Sequence, residues 1–234
     1  MRSDAGARCR GPAALVRTVA LRRLVLLAAL VLPVGGLQAD TFTFSGDRTE
    51  VVLAEGRERT LLEGNARVVS NAITLRAREI ELSGSDFRYA TLRAEVEVRD
   101  SERDIIITAD ELSFDRSTEN TRARGDIIVT DNANDLLLRG GYLETRDGGD
   151  LLFVQSAVRV FRDDLTARAQ FLRYRREDDV LELSGFPLVF WKGDEYRASR
   201  IVLNLETEEI ELQGQVQGEI VVEDEDEDGE PDNE

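Results

Sequence analysis

The amino-acid sequence predicts an all-β protein built from bent antiparallel strand pairs, stacked into an elongated sandwich or half-closed roll. Three observations predict this fold class. Apolar and polar residues alternate along most of the chain, residues 41–220 contain no convincing stretch of helical period, and two sets of small residues recur at a near-constant spacing. With 234 residues, 41% of them hydrophobic, the chain is long enough to bury a core.

The first 39 residues have the composition of a cleavable export signal. Six arginines and one acid precede an uncharged run of 11 residues from Leu24 to Val34, and small residues follow up to Ala39. A membrane-spanning helix needs roughly 20 apolar residues, so this run is short for a span. We expect cleavage before Asp40 and therefore a periplasmic protein. An uncleaved inner-membrane anchor is the alternative.

The body of the chain has the two-residue period of half-buried strands. From Leu92 to Arg99, every even-numbered residue is apolar and every odd-numbered residue is charged. A strand with one face in water requires this alternation. The run from Leu212 to Ile220 repeats it near the other end, and turn-forming residues such as those from Asp147 to Asp150 separate the strands.

Small residues at the start of such strands recur at intervals of 29 to 31 residues: Gly64, Ala94, Gly125, Ser156, Gly185 and Gly214. A second marker is a small residue followed three positions later by Ile or Leu, and its intervals are 29 to 32 residues. Its members are Ala77/Ile80, Ala109/Leu112, Gly140/Leu143, Ala169/Leu172 and Ala198/Ile201. Two independent markers with one period predict an internal repeat.

The second marker also predicts a bend within a strand. Ile73, Leu75 and Ala77 share one phase of the alternation, whereas Ile80 and Leu82 have the opposite phase. A strand that changes phase and stays half-buried needs an extra residue, so we expect a β-bulge between the two groups. Each repeat is therefore predicted to be a strand, a turn and a second strand that is bent midway.

Charge and composition exclude several classes of function. The net charge is −17, which disfavours nucleic acid as a partner because that binding requires Lys and Arg to neutralise phosphates. The sequence has no histidine, and its one cysteine, Cys9, lies in the segment expected to be removed. Ser-His-Asp and Cys-His catalysis and His-ligated zinc are therefore excluded. We expect no enzyme, no cofactor and no metal site.

The last twelve residues form a strongly acidic segment. Nine of the residues from Glu223 to Glu234 are acids, a composition typical of a disordered, solvated tail. The predicted organisation is thus a signal peptide over residues 1–39, a β-domain over residues 40–222 and an acidic tail over residues 223–234.

Five motifs lie in register along residues 42–220. They are LEGNARV at 62–68, LRAREI at 75–80, TADELSFD at 108–115, RARGDI at 122–127 and IELQGQVQGEI at 210–220. Together they resemble the OstA-like, LptA-type β-jellyroll family of lipopolysaccharide transport. The resemblance covers nearly all of the β-domain, and it implies an elongated, U-shaped and half-open β-jellyroll.

The resemblance also implies a function. It implies a periplasmic, non-enzymatic bridge protein that carries the acyl chains of lipopolysaccharide or a similar glycolipid in an apolar trough toward the outer membrane. The implied protein partners are inner-membrane and outer-membrane transport subunits that have similar domains and join this protein through strand edges. A head-to-tail homo-oligomer of this chain is also implied. Two alternatives remain: an inner-membrane-anchored subunit of the same system, or an envelope scaffold that assembles through its strand edges without lipid.

The residues expected to line the trough are the apolar residues of the inward phase. They are Val68, Ile73, Leu75, Leu92, Val96, Val98, Ile105, Ile107, Ile127, Val129, Leu136, Leu138, Val158, Val160 and Val216. Alternation alone does not distinguish a trough that contacts lipid from a closed core in which these side chains pack against each other.

Overall fold

The computed structural model describes residues 42–221, which form one antiparallel sheet of sixteen strands. The strands are β1 (Phe42–Ser45), β2 (Arg48–Val52), β3 (Arg59–Ser70), β4 (Ile73–Ser83), β5 (Tyr89–Asp100), β6 (Ile105–Asp115), β7 (Asn120–Asp131), β8 (Leu136–Arg146), β9 (Leu151–Arg162), β10 (Leu165–Arg175), β11 (Val180–Ser184), β12 (Leu188–Trp191), β13 (Asp194–Arg197), β14 (Arg200–Asn204), β15 (Glu209–Gln213) and β16 (Gln217–Glu219). Two short 3₁₀ turns, Ser85–Phe87 and Asp147–Gly149, lie in connections. The predicted signal peptide and acidic tail lie outside the described residues.

Eight long strands, β3 to β10, form the centre of the sheet, and each pairs with the next one along the chain. At both ends of this series, two short strands share one long strand. The two halves of β3 pair with β2 and β1, and the two halves of β10 pair with β12 and β11. The ladders β11–β14–β15 and β12–β13–β16 complete the sheet, which does not close on itself within the described residues.

Every long strand is bent near its middle. All seven ladders between β3 and β10 shift register there, for example between Arg76 and Glu79 on β4. Leu75 and Leu82 have opposite phases in the sequence, yet both are buried on the inner face. The predicted bulge in β4 is therefore confirmed, because the register shift returns the apolar residues to the same side of the sheet.

None of the first set of markers starts a strand, so this part of the prediction is wrong: four lie in the middle of β3, β5, β7 and β9, and Gly185 and Gly214 lie in connections between short strands. All six residues have a positive φ, between 60° and 75°: Gly64, Ala94, Gly125, Ser156, Gly185 and Gly214. The left-handed backbone region favours glycine and other small residues, which is the physical reason for the marker. Both strands of each pair are consequently bent, whereas the sequence predicted a bend in the second strand alone.

The substitution Gly125→Ala is expected to destabilise the protein by about 2 kcal/mol, because a left-handed L-residue costs roughly 1–2 kcal/mol and the new methyl group also displaces a neighbour. A Cβ at this position would lie 2.0 Å from Oδ2 of Asp110. Gly193 has φ +87° with open space around it, so Gly193→Ala carries the strain without the collision. Urea unfolding of both variants checks the difference. Equal losses would contradict the role assigned to Asp110.

The bends allow the inner faces on either side of them to pack into one core. A single cluster of buried side chains contains residues from one half of the bent strands, such as Leu75 and Val98, and residues from the other half, such as Ile80 and Leu112. Outward-facing positions are mostly charged or polar. The predicted fold class is confirmed: the described chain is an all-β, antiparallel, unclosed sheet of bent strands, as in a β-jellyroll. No helix in residues 42–221 is long and apolar enough to cross a membrane.

Candidate functional site

The predicted inward residues come together in the interior of the folded sheet, with one exception. Thirteen of the fifteen are buried: Val68, Leu75, Leu92, Val96, Val98, Ile105, Ile107, Ile127, Val129, Leu136, Leu138, Val158 and Val160. Ile73 is partly buried and packs against this core. The alternation therefore located the inner face on one half of the bent strands, where Val68 pairs with Leu75, and Leu92 is the one member on the other half.

Val216 is the exception, and its predicted place in the interior is wrong. It lies between β15 and β16 with 54% of its surface exposed. Val158 occupies the equivalent position, two residues after a small residue with positive φ, and is fully buried between neighbouring strands. Val216 follows the last of the small-residue markers, Gly214, and within the described residues no following strand pair covers its side chain.

Sequence reasoning omitted most of the buried residues on the other half of the bent strands, where Leu62 pairs with Ile80. They include Leu62, Ile80, Leu82, Leu112, Leu143, Leu152, Val154 and Leu172. The signal for them was present in the sequence, because Ile80 and Leu112 belong to the second marker and have the opposite phase. Extending the inner face across the bulge would have predicted them.

A cleft of about 180 Å³ opens into the interior near the first strands of the sheet. Its inner wall is apolar and is formed by aliphatic residues and three phenylalanines: Val68, Ile73, Leu75, Leu82, Phe42, Phe87 and Phe114. A smaller cavity of about 50 Å³ shares Ile73 and Phe114 with the cleft and extends to Ile107 and Leu152. The two spaces follow the inner face from the first strands toward the middle of the sheet.

Aromatic and ionic groups surround the mouth of the cleft. Phe42 packs edge to face against Phe87 with their ring centroids 5.7 Å apart, and the guanidinium of Arg116 lies 5.4 Å from the ring centroid of Phe42. Arg103 forms ion pairs with Asp100 at 2.8 Å and with Glu119 at 3.3 Å. The mouth therefore has polar groups at its rim and apolar groups inside.

The pKa of Asp100 at this rim is lowered. Partial burial raises the pKa of this carboxyl, but hydrogen bonds from the backbone and guanidinium of Arg103 outweigh the effect of burial. Asp100 is consequently ionised in neutral solution and holds Arg103 against the turn between β5 and β6.

Farther along the sheet, turns at opposite ends of the strands are joined by a buried ion pair. Nε of Arg176, in the turn after β10, donates to Oδ2 of Asp131 at 2.7 Å, and Nη2 donates to the backbone carbonyl of Arg103 at 2.7 Å. The side chains of Arg176 and Asp131 are only 15% and 3% exposed. Asp131 ends β7, and Arg176 follows the end of β10, which runs antiparallel to β7. This contact therefore ties together turns at opposite ends of the strands.

Two further contacts extend this closure, and we call the whole set the seam. Nδ2 of Asn134 donates to the hydroxyl of Tyr174 at 2.9 Å, and Arg162 pairs with Asp179 at 2.8 Å. Burial is the main cause that raises the pKa of the Tyr174 phenol, with Asp179 nearby adding to it. Tyr174 is therefore a neutral hydrogen-bonding group. The interior is closed along the seam and accessible at the cleft.

The arrangement suits binding of an apolar chain better than chemistry on a substrate. The walls of the cleft offer dispersion contacts and exclusion of water, while Arg103 at its rim forms ion pairs with Asp100 and Glu119. In the part of the chain that the structure describes, no group of three or more potential ligand side chains could hold a metal ion.

Comparisons with known proteins identify no family from the sequence, since neither a protein-family model nor a curated protein matches the chain. Solved structures do match. One of them is the crystal structure of LptH from Pseudomonas aeruginosa, the LptA homologous periplasmic component of the conserved lipopolysaccharide transport device. The chain is similar to it with a TM-score of 0.48 and 15% sequence identity, over 52% of this chain and 97% of that one.

Proposed function

We propose that this protein is a periplasmic lipid-binding bridge in lipopolysaccharide transport, which holds acyl chains of lipopolysaccharide or a similar glycolipid in the apolar cleft. The observation that carries the proposal is the cleft itself: an apolar wall, including Phe87 and Phe114, opens at a mouth with paired charges and leads toward the interior. This order of groups matches an amphiphile whose chains enter while its polar part remains in water.

The energetics favour such a role. Exposing an acyl chain to water costs roughly 0.8 kcal/mol per CH₂ group, so about 10 kcal/mol for a dozen groups. A wall of buried aliphatic side chains removes this penalty without a catalytic group or a cofactor. The periplasmic location is inferred from the predicted signal peptide. If that segment is retained, the protein is the inner-membrane-anchored subunit of the same system.

Site-specific photo-crosslinking in cells tests the proposal. A crosslinking amino acid at Ile73 or Phe114, both on the cleft, is expected to capture lipopolysaccharide. The same amino acid at Glu97, on the outer face and beside Arg76, is the matched control and is expected to capture none. Equal capture at the cleft and at Glu97 would contradict lipid binding in the interior.

A second function, an envelope scaffold without lipid, is favoured by the two edges of the sheet. At the first edge, Phe44, Val51 and Leu53 are exposed, and near the last strands Val216 and Ile220 are exposed. Unpaired strand edges with apolar side chains can pair with a strand of another protein. Bridging transport subunits or a head-to-tail homo-oligomer would use the same edges. Purified protein without co-purifying lipid, yet assembled through these edges, would favour the scaffold.

A further inference from the structure

We propose that the acidic segment Glu223–Glu234 binds to a row of three arginines on the outer face of the sheet, at β8, β9 and β10. The proposal does not depend on lipid binding, because the row faces away from the interior. Its occupant is a segment of this same chain, argued from charge, from the place where the described chain ends and from the length beyond it.

Three arginines lie directly opposite one another across neighbouring strands. Arg139 on β8 faces Arg159 on β9, and Arg159 faces Arg168 on β10. All three side chains are exposed. Within residues 42–221, none of the three has an ion pair with a carboxylate; Arg159 donates to the backbone carbonyl of Val158 at 3.0 Å. We call these residues the arginine row.

The row differs from the parts of the outer face where arginines have carboxylate partners. Arg76 pairs with Glu97 on the next strand at 3.0 Å, and Arg93 pairs with Glu79 at 2.5 Å. Arg67 also faces Arg76 across neighbouring strands, but there Arg76 has its carboxylate partner in Glu97. Like charges directly opposite one another destabilise a sheet, so three consecutive arginines without a counter-charge indicate an external anionic group.

The surface beside the row is open. A depression of about 390 Å³ lies between β7 and β9, and it is lined by Arg139, Arg159, Ser156 and also by Asp126. Gly140 and Gly141 form part of its floor and contribute no side chains. The guanidinium groups of Arg139 and Arg159 are therefore accessible to a segment that lies across the strands. Asp126 is on β7, at the side of the depression away from β10 and Arg168.

The chain enters its acidic segment close to this row. Gln217 on β16 pairs with Arg197 on β13, and the ladder continues through Leu188 on β12 to Arg168. Neighbouring strands are about 4.8 Å apart, so Arg168 is roughly 14 Å and Arg139 roughly 24 Å from β16. Thirteen residues follow Val221, and an extended chain of that length spans up to about 43 Å.

Charge complementarity identifies the occupant. Nine of the twelve residues in the segment are acids, in a chain whose acids already exceed its bases by 47 to 30. A tethered segment has an effective concentration in the millimolar range, so even weak ion pairs are populated. These pairs are exposed and are expected to weaken as salt is added, because the Debye length falls from about 10 Å at 0.1 M to about 3 Å at 1 M.

Paramagnetic relaxation enhancement in the full chain tests the proposal. A nitroxide is attached to the Asp228→Cys variant, with Cys9→Ser so that one site is labelled. At low salt, the amide signals of β8, β9 and β10 around Arg139, Arg159 and Arg168 are expected to lose intensity, and at 1 M salt to recover it. Unchanged intensity in these strands at low salt would overturn the proposal.

A matched pair of triple variants separates this row from general positive charge. Replacing Arg139, Arg159 and Arg168 by Gln is expected to abolish the loss of intensity. The control replaces Arg67, Arg99 and Arg124 by Gln, three exposed outer-face arginines on β3, β5 and β7, and is expected to retain the loss. An equal effect of the two triple variants, or the same broadening in the first as in the parent chain, would overturn the assignment.

Discussion

Asp131→Ala is expected to lower the free energy of unfolding by about 3–5 kcal/mol, because removing one partner of a buried ion pair leaves the other charge uncompensated. The pair with Arg176 is nearly inaccessible to solvent and joins turns at opposite ends of the strands. For a chain of this size, 1 kcal/mol shifts Tm by about 2–4 °C, so the expected decrease is about 6–20 °C. Urea and thermal unfolding followed by circular dichroism measure both quantities.

Two variants control this experiment. Asp178→Ala removes the partner of Arg175, and the side chain of Asp178 is 64% exposed, so its loss is expected to be below about 1 kcal/mol. The double variant Asp131→Leu/Arg176→Met removes both charges and is expected to recover most of the stability, because it leaves no buried charge unpaired. A loss for Asp131→Ala no larger than that for Asp178→Ala would show that the seam does not hold the opposite ends of the strands together.

Leu138→Ala and Leu75→Ala are expected to separate the closed core from the cleft. Leu138 is fully enclosed, and truncation of such a leucine costs about 2–5 kcal/mol, with the larger values where a cavity remains. Leu75 already borders the cleft, so its truncation enlarges an existing space, and the expected loss is near the lower end of that range, about 2 kcal/mol. Urea unfolding measures both losses.

The variant with the smaller expected loss of stability, Leu75→Ala, is expected to have the larger effect on lipid capture. With the crosslinker at Phe114, Leu75→Ala should reduce the yield of crosslinked lipopolysaccharide, because it removes part of the wall that contacts the acyl chain. Leu138→Ala, compared at a temperature where it remains folded, should leave that yield unchanged. If both variants reduce capture in proportion to their loss of stability, the cleft has no specific role in binding.

The fold class followed from local patterns because a strand pair is specified by residues close together in sequence. Alternation placed Val96 and Val98 on the inner face, and the phase change between Ala77 and Ile80 predicted a bulge that the structure contains. The location of the first markers was wrong, because a small residue is compatible both with a strand start and with a left-handed bend. Only the backbone shows that Ala94 has φ 60°.

The cleft was beyond prediction for a different reason. Its lining combines Phe42, Leu82 and Phe114, which belong to different strands and lie on both sides of the bends. Their meeting depends on how sharply the sheet folds, and a pattern of period two contains no information on that angle. Whether an inward residue touches lipid or another side chain is decided by the same geometry.

Local alternation, glycine placement and turn residues were sufficient to specify an antiparallel sheet of bent strands and the direction in which most side chains point. Tertiary packing alone decided which inward positions are enclosed, as the contrast between buried Val158 and exposed Val216 illustrates. It also decided the seam, where Arg176 reaches a carboxylate 45 residues away. The reason is physical: backbone preference and side-chain direction are local, whereas burial and charge pairing depend on which distant surfaces the folded sheet brings together.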